Sequence, residues 1–279
     1  MKIPVFDLHC DTAGVLSGYF GNGPSTLYKN NGHIDLERAG TLANYAQCFA
    51  CFTSPLEKHN PVDMFECQLS IIFRELERNK DIIRLAYSAN DIEDNRKNGV
   101  MSAILTIEGP AGFGFDPELL CDLYNIGFRI STLGWNESNP LTGSNVTGGG
   151  LTELGKAYVR KAQSLGLIID VSHISDAGFW DIMRITDAPV VATHSNSRVV
   201  CDVSRNLTDD MFLAICKTDG VAGINLYANF LGVNPTIDTV CDHIFHFLEL
   251  DPDGNHIALG GDLDGCDALP DDFCGVQCY

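Results

Sequence analysis

The stretch Pro4-Val5-Phe6-Asp7-Leu8-His9-Cys10-Asp11-Thr12 opens the chain as a short, mostly apolar strand that ends in a His-x-Asp pair. Successive side chains of a strand point to opposite faces, so His9 and Asp11 point one way and Cys10 the other. An imidazole and a carboxylate on one face of a strand end form two claws for one divalent cation. The pair alone is equally consistent with an ordinary strand end carrying a surface His and Asp. The rest of the chain separates these readings.

After the run at 5–9, β-rich runs recur at 45–52, 101–107, 129–133, 167–171, 190–193, 221–225 and 257–260. Most are apolar without alternation, the pattern of strands buried on both faces of a parallel sheet. Helical periodicity or capping signals fill the gaps at 61–79, 116–126, 152–165, 175–185, 208–217 and 237–250. Met64, Phe65, Leu69, Ile72, Phe73 and Leu76 line one face of the first of these. Asp116-Pro117 caps the second, and Thr152 and Gly166 bracket the third. This alternation predicts an α/β fold, a (β/α)8 TIM-type barrel forming one domain over 1–279. A doubly wound open sheet is the alternative. Residues 261–279 do not read as the helix that should follow an eighth strand, so the final C-terminal helical segment is expected to be lacking. The glycine-rich stretch 143–150 follows the fourth strand and is expected to cover the site.

Composition narrows the function. Among 279 residues, 37 acids stand against 18 bases, a net charge of −19. Such a chain repels polyanions, so no nucleic-acid partner is expected. There is no apolar run of bilayer length, and no basic region followed by a long apolar one opens the chain. Eleven cysteines, an odd number, favour free thiols over a disulfide framework. The expectation is a cytoplasmic protein with no membrane partner.

Polar residues recur at the ends of the predicted strands. His9 and Asp11 follow the first, Glu108 the third, His173 the fifth, His194 the sixth and Asp262 the eighth. In a barrel these ends form the rim where catalytic residues converge. Histidines and carboxylates gathered there outline a metal site. Two cations use the set better than one, because a carboxylate can bridge ions held about 3.5–4 Å apart. Glu108 is the bridge candidate, with His9 and Asp11 on one ion and His173 and His194 on the other. Mixed nitrogen and oxygen ligands suit zinc, and manganese or cobalt would also be accepted. A water bridging the ions would have its pKa lowered from about 15.7 towards 7.

Asp7-Leu8-His9-Cys10-Asp11-Thr12, Ile107-Glu108-Gly109, Val171-Ser172-His173, Thr193-His194-Ser195 and Gly260-Gly261-Asp262-Leu263-Asp264-Gly265 occur in this order. The set resembles the membrane (renal) dipeptidase family, peptidase family M19, whose members are binuclear zinc dipeptidases with a (β/α)8 barrel. The resemblance implies the same five ligands, with Glu108 bridging, and makes Asp262 the acid/base carboxylate. It places Arg205, within Ser204-Arg205-Asn206, on the terminal carboxylate of the substrate. It also puts Tyr227, within Asn225-Leu226-Tyr227, in the pocket wall. Where some members carry a substrate-contacting histidine after strand four, this chain has Thr132-Leu133-Gly134-Trp135-Asn136. Trp135 cannot polarise a carbonyl, which leaves Asn136 to donate one hydrogen bond. The family continues past Gly265 into a helical segment that this chain is expected to lack.

The expected activity is metal-dependent hydrolysis of dipeptides by a hydroxide bridging two divalent cations. A C-terminal residue of D configuration is tolerated if the carboxylate clasp does not read its side chain. The partner is a small peptide, and a homodimer is compatible with the sequence. One rival is another binuclear hydrolase on this barrel, such as a deaminase, a cyclic amidase or a lactonase. Those commonly open with His-x-His and bridge through a modified lysine. The other rival is a degenerate metal-binding barrel without activity.

Four weaker signals complete the sequence. Cys48-Phe49-Ala50-Cys51 lies in a strand, where residues three apart face opposite sides, so a structural role is expected. His243 and His246 are expected on a helix surface without an acidic partner. His33, His59 and His256 are expected in loops or on the surface. Asp7 and Asp170, acids inside apolar strands, are expected to accept from the second ring nitrogen of ligand histidines.

Overall fold

A computed structural model of the chain describes residues 3–20 and 25–279. Its strands are β1 (Pro4–Cys10), β2 (Asn44–Phe52), β3 (Ile83–Leu85), β4 (Met101–Glu108), β5 (Phe128–Thr132), β6 (Ile168–Asp170), β7 (Val190–Val191), β8 (Ala222–Ile224) and β9 (Ile257–Leu259). Between them lie α1 (Thr12–Ser17), α2 (Leu36–Ala39), α3 (Pro61–Arg78), α4 (Ala89–Lys97), α5 (Leu120–Ile126), α6 (Glu153–Leu165), α7 (Asp176–Ile185), α8 (Asp209–Lys217), α9 (Ala228–Leu231) and α10 (Ile237–Leu250).

All strand pairs are parallel, in the order β7-β6-β5-β4-β2-β1-β9-β8. The two ends of that order meet through one parallel bridge, Ala192 to Ala222. There the Ala192 N–H donates to Val221 O at 3.0 Å, and the Gly223 N–H donates to Ala192 O at 2.8 Å. The sheet is therefore a (β/α)8 barrel rather than an open doubly wound sheet. Strand β3 stands outside this circuit, extending the β4 edge at Ile83–Met101 before β5 takes it over.

One irregularity in β1 aims the site. Asp7 pairs with Gln47 but Cys10 pairs with Phe49, so three steps on β1 match two on β2. The extra residue is a bulge held by the His9 N–H, which donates to Asp7 Oδ1 at 2.9 Å. Leu8 joins Ala46, Cys48, Ile104, Ile130 and Val191 in the inner cluster, whereas Cys10 and Cys51 pack in the outer one. Cys48 and Cys51 thus sit on opposite faces of β2, both as buried free thiols.

The helices form where capping and periodicity coincide. Asn60 accepts from the N–H groups of Val62 and Asp63 to start α3, which buries Met64, Phe65, Ile72 and Leu76. Thr152 caps α6, and Gly166 closes it at a φ of 88°. The run predicted from 116 is split: Pro117–Leu119 form a 3-10 turn before α5. Five elements went unpredicted for physical reasons. Strand β3 is three residues long, α1, α2 and α9 run for only four to six residues, and α4 buries only Asn95, leaving almost no apolar period. Its one local signal is Ser88, which accepts from the Asp91 N–H.

His243 departs from the surface expectation. It is buried, its Nδ1 accepts from the Ser197 N–H at 3.2 Å, and its Nε2 lies 3.1 Å from Leu231 O. His246 has an acidic partner, Asp209, at 2.8 Å. After β9, among the described residues, only a 3-10 turn forms, at Val276–Cys278. This tail is tied down by the Val276 N–H on His33 O and by the Tyr279 hydroxyl on Asp7. No helix among the described residues is long and apolar enough to cross a membrane.

Candidate metal centre

His9, Asp11, Glu108, His173, His194 and Asp262 reach the barrel mouth from the C-terminal ends of their strands. The Glu108 turn is possible because Gly109 adopts a φ of 77°; a Cβ there would stand 2.1 Å from Thr53 O. His173 and Asp262 are non-glycine residues held at φ values of 67° and 56°. A backbone of that kind is uncommon and costs about 1–3 kcal/mol, so surrounding structure must enforce it. For His173 that structure is the stretch 143–150. The Asn145 N–H donates to His173 O at 2.9 Å, and Ser144 bridges to Ile174. This stretch braces the backbone of His173 from outside rather than covering the site. Trp135 and Asn136, earlier in the same loop, face the cavity.

Six side chains converge. His9 Nε2 lies 3.3 Å from Asp11 Oδ2, 3.3 Å from Glu108 Oε2 and 3.9 Å from Asp262 Oδ1. Glu108 Oε1 faces the other way, 3.1 Å from His173 Nε2 and 3.8 Å from His194 Nε2. His9 and His194 stack with ring centroids 3.7 Å apart. His9 Nε2 and Asp11 Oδ1 are buried without a hydrogen-bond partner.

Neighbouring groups set the histidine tautomers. His173 Nδ1 stands 3.0 Å from Asn136 Oδ1, an acceptor, so Nδ1 carries the proton. The Thr193 hydroxyl donates to Asp170 Oδ2, so it accepts from His194 Nδ1, 2.7 Å away. Both Nε2 lone pairs are then bare, and they face each other at 3.0 Å. Burial keeps these rings neutral: it pushes His173 down to about 4, with the Arg205 charge adding to it, and His194 well below the ordinary histidine range. Two bare nitrogens and a carboxylate oxygen converging in a dry site repel one another unless a cation lies among them. The donor set, imidazole nitrogen and carboxylate oxygen, fits a divalent metal.

The first half of the cluster holds protons when no metal neutralises it. Burial alone would lower His9, but Glu108 and Asp11 outweigh it and raise His9 well above its ordinary value. Burial and the Glu108 charge push Asp11 up to about 8. Burial also raises Asp262, whose Oδ2 accepts from Asn225 Nδ2 at 2.9 Å. Asp7 and Asp170 do not touch a histidine ring, contrary to expectation. Asp7 accepts the N–H groups of His9 and Gly261, and Asp170 acts on His194 through Thr193.

A cavity of about 290 Å³ opens over this cluster, with Asp11, Glu108, His173 and Asp262 in its floor. Tyr227 lines it as expected; Phe20, Phe52, Glu57 and Phe230 line it without having been singled out. Phe52 ends β2 and the others lie in the connections beyond strands, where one sequence carries little periodic signal. Arg205 occupies an adjoining recess that shares His173 and also holds Ser195. It is only 5% exposed and its Nη1 donates to Ser195 Oγ at 2.6 Å. Its Nε and Nη2, one edge of the guanidinium fork, have no hydrogen-bond partner among the described residues.

The geometry has counterparts. A Klebsiella pneumoniae protein of the pqqA 5′ region, uncharacterised, is 34% identical over 231 residues, 78% of this chain and 84% of its own length. An uncharacterised dipeptidase of Schizosaccharomyces pombe is 34% identical over 186 residues, 64% of this chain and 46% of that protein. The crystal structure of a Rhodobacter sphaeroides metallopeptidase, liganded with a phosphinate mimic of the dipeptide L-Ala-D-Ala, superposes with a TM-score of 0.86 at 26% identity. It covers 99% of this chain and 90% of that one. The model of the membrane dipeptidase family, peptidase family M19, matches residues 1–279, and the chain belongs to that family.

Proposed function

We propose that the protein is a metal-dependent dipeptidase whose rim residues hold two divalent cations, zinc by preference. The facing Nε2 atoms of His173 and His194 carry this reading, since only a cation relieves them. His9 and Asp11 would hold one ion, His173 and His194 the other, with Glu108 offering one oxygen to each. When bound, such a pair supplies Lewis acidity and a water deprotonated near neutral pH. Asp262, held by Asn225, takes the proton of the attacking water and returns it to the leaving amine. Arg205 offers its unpaired Nε–Nη2 edge to the substrate carboxylate, a bidentate match that limits substrates to short peptides. Nothing in that clasp reads the configuration of the last residue, so a D residue is accepted there. The Asn136 amide, whose oxygen is engaged by His173, keeps its nitrogen for the substrate.

Rates on L-Ala-L-Ala, L-Ala-D-Ala, their C-terminal amides, a lactone and a nucleoside test the assignment. Both free dipeptides should be cleaved and both amides should be poor. Preference for the lactone or nucleoside would point to the rival hydrolases instead.

A further inference from the structure

Two aromatic walls flank the centre from opposite halves of the barrel rim. Tyr227 and Phe230, 4.8 Å apart and edge to face, follow β8, and the Arg205 guanidinium carbon lies 5.6 Å from the Phe230 ring. Across the cavity, Phe52 at the end of β2 stands 5.7 Å from Phe20 beyond α1 and 5.1 Å edge-on from Trp135 beyond β5. Glu57, in the loop after β2, is the remaining carboxylate of the lining. Asp11, Glu108 and Asp262 lie at the centre, where bound cations would offset them. Glu57 is half-buried and makes no ion pair among the described residues, and no Lys or Arg is among the residues lining this cavity.

A dipeptide whose carboxylate sits at Arg205 and whose scissile carbonyl sits over the centre must send its N-terminal residue towards the far wall. We propose that Glu57, with Phe20, Phe52 and Trp135, forms a side-chain subsite selecting a cationic N-terminal residue, lysine or arginine. The aromatic faces take the aliphatic stem and add attraction for the charge within about 6 Å of a ring. The carboxylate pairs the ammonium or guanidinium group. This inference rests on the dipeptidase reading.

The test compares kcat/KM for Lys-Ala, norleucyl-Ala and Glu-Ala in the metal-replete protein and in its Glu57→Gln and Glu57→Lys variants. Lysine and norleucine share a stem and differ in the charge, so their ratio isolates the pair. The wild type should favour Lys-Ala over norleucyl-Ala by roughly two- to fivefold at low salt, a half-exposed ion pair, and by less at 1 M salt. The net charge of −19 attracts any cation, so the decisive quantity is the change in ratio on substitution. Glu57→Gln should lower the ratio, leaving only what the aromatic faces and the net charge contribute, and Glu57→Lys should place Glu-Ala ahead of Lys-Ala. An unchanged ratio in both variants overturns the subsite. So does an equal loss on all three substrates in Glu57→Gln, which would place Glu57 at the α-ammonium. If the wild type cleaves none of these dipeptides, the dipeptidase reading itself fails.

Discussion

The Nε2 atoms of His173 and His194 face each other at 3.0 Å, each made an acceptor by the partner on its own Nδ1. The arrangement is built from a distance: Asn136 locks one ring, and Asp170 locks the other through the Thr193 hydroxyl. A buried pair of lone pairs held this way stays in place only because the surrounding network fixes both rings.

Thr193→Val tests that network without touching a ligand. It removes the hydroxyl that receives the His194 Nδ1 proton while keeping the side-chain shape. Metal affinity, measured by competition with a chromophoric chelator, should fall about 10–100-fold. Unaltered affinity would mean that the tautomer is set by something else.

Arg205 and Asp262 should fail differently. Arg205→Ala removes a contact present before and during the reaction, so KM should rise. Loss of a charge-assisted pair of about 1.5–3 kcal/mol corresponds to roughly ten- to a hundredfold in kcat/KM. Asp262→Asn should lower kcat by about 10²–10⁴-fold with little change in KM, and should remove one limb of the pH–rate profile. Arg205→Ala should also discriminate little between a free dipeptide and its amide.

In the metal-free protein the protons on His9 and Asp11 link stability to pH. Asp11 titrates near 8 when folded against 3.8 in the reference state, and His9 is raised above 6.5. The folded state therefore binds protons that the unfolded chain releases, and its stability falls as pH rises through this window. His173 and His194, both lowered, act in the opposite sense, an effect that fades as pH rises past their ordinary value of 6.5. Denaturation of chelated protein should thus give a lower unfolding free energy at pH 8 than at pH 6.5, by at most about 1.4 kcal/mol per pH unit for each proton. Zinc bound at the proposed ligands would displace these protons, so its affinity should rise over the same interval and calorimetry should show proton release.

The shared face of His9 and Asp11, and the strand ends carrying Glu108, His173, His194 and Asp262, were legible because alternation and strand-terminal position are local properties. The bulge at Leu8–His9 was not, since it is a mismatch of register between β1 and β2. It turns Asp7 away to the Tyr279 hydroxyl and the Gly261 N–H, a long-range arrangement that no spacing within β1 encodes. The Asp170–Thr193–His194 chain eluded the sequence for a related reason: it crosses from β6 to the residues following β7. The composition of the Gly143–Gly150 stretch and its place after the fourth predicted strand point to a cover, whereas its hydrogen bonds hold the His173 backbone.

Gly109→Ala probes the turn that delivers Glu108. The added methyl would meet Thr53 O at 2.1 Å, and the φ of 77° disfavours any Cβ. Urea denaturation should show a loss of roughly 1–3 kcal/mol, with weaker metal binding as Glu108 shifts. A neutral substitution would mean that the turn relaxes freely.

The rim is proposed as a metal centre that cleaves dipeptides. Hydrolysis of L-Ala-L-Ala by purified protein, measured before chelation, after it, and during titration with zinc, tests it most directly. Activity should vanish on chelation and return in proportion to bound metal, saturating at two ions per chain. Dipeptide hydrolysis that survives complete metal removal would contradict the account, as would folded, metal-loaded protein with no turnover.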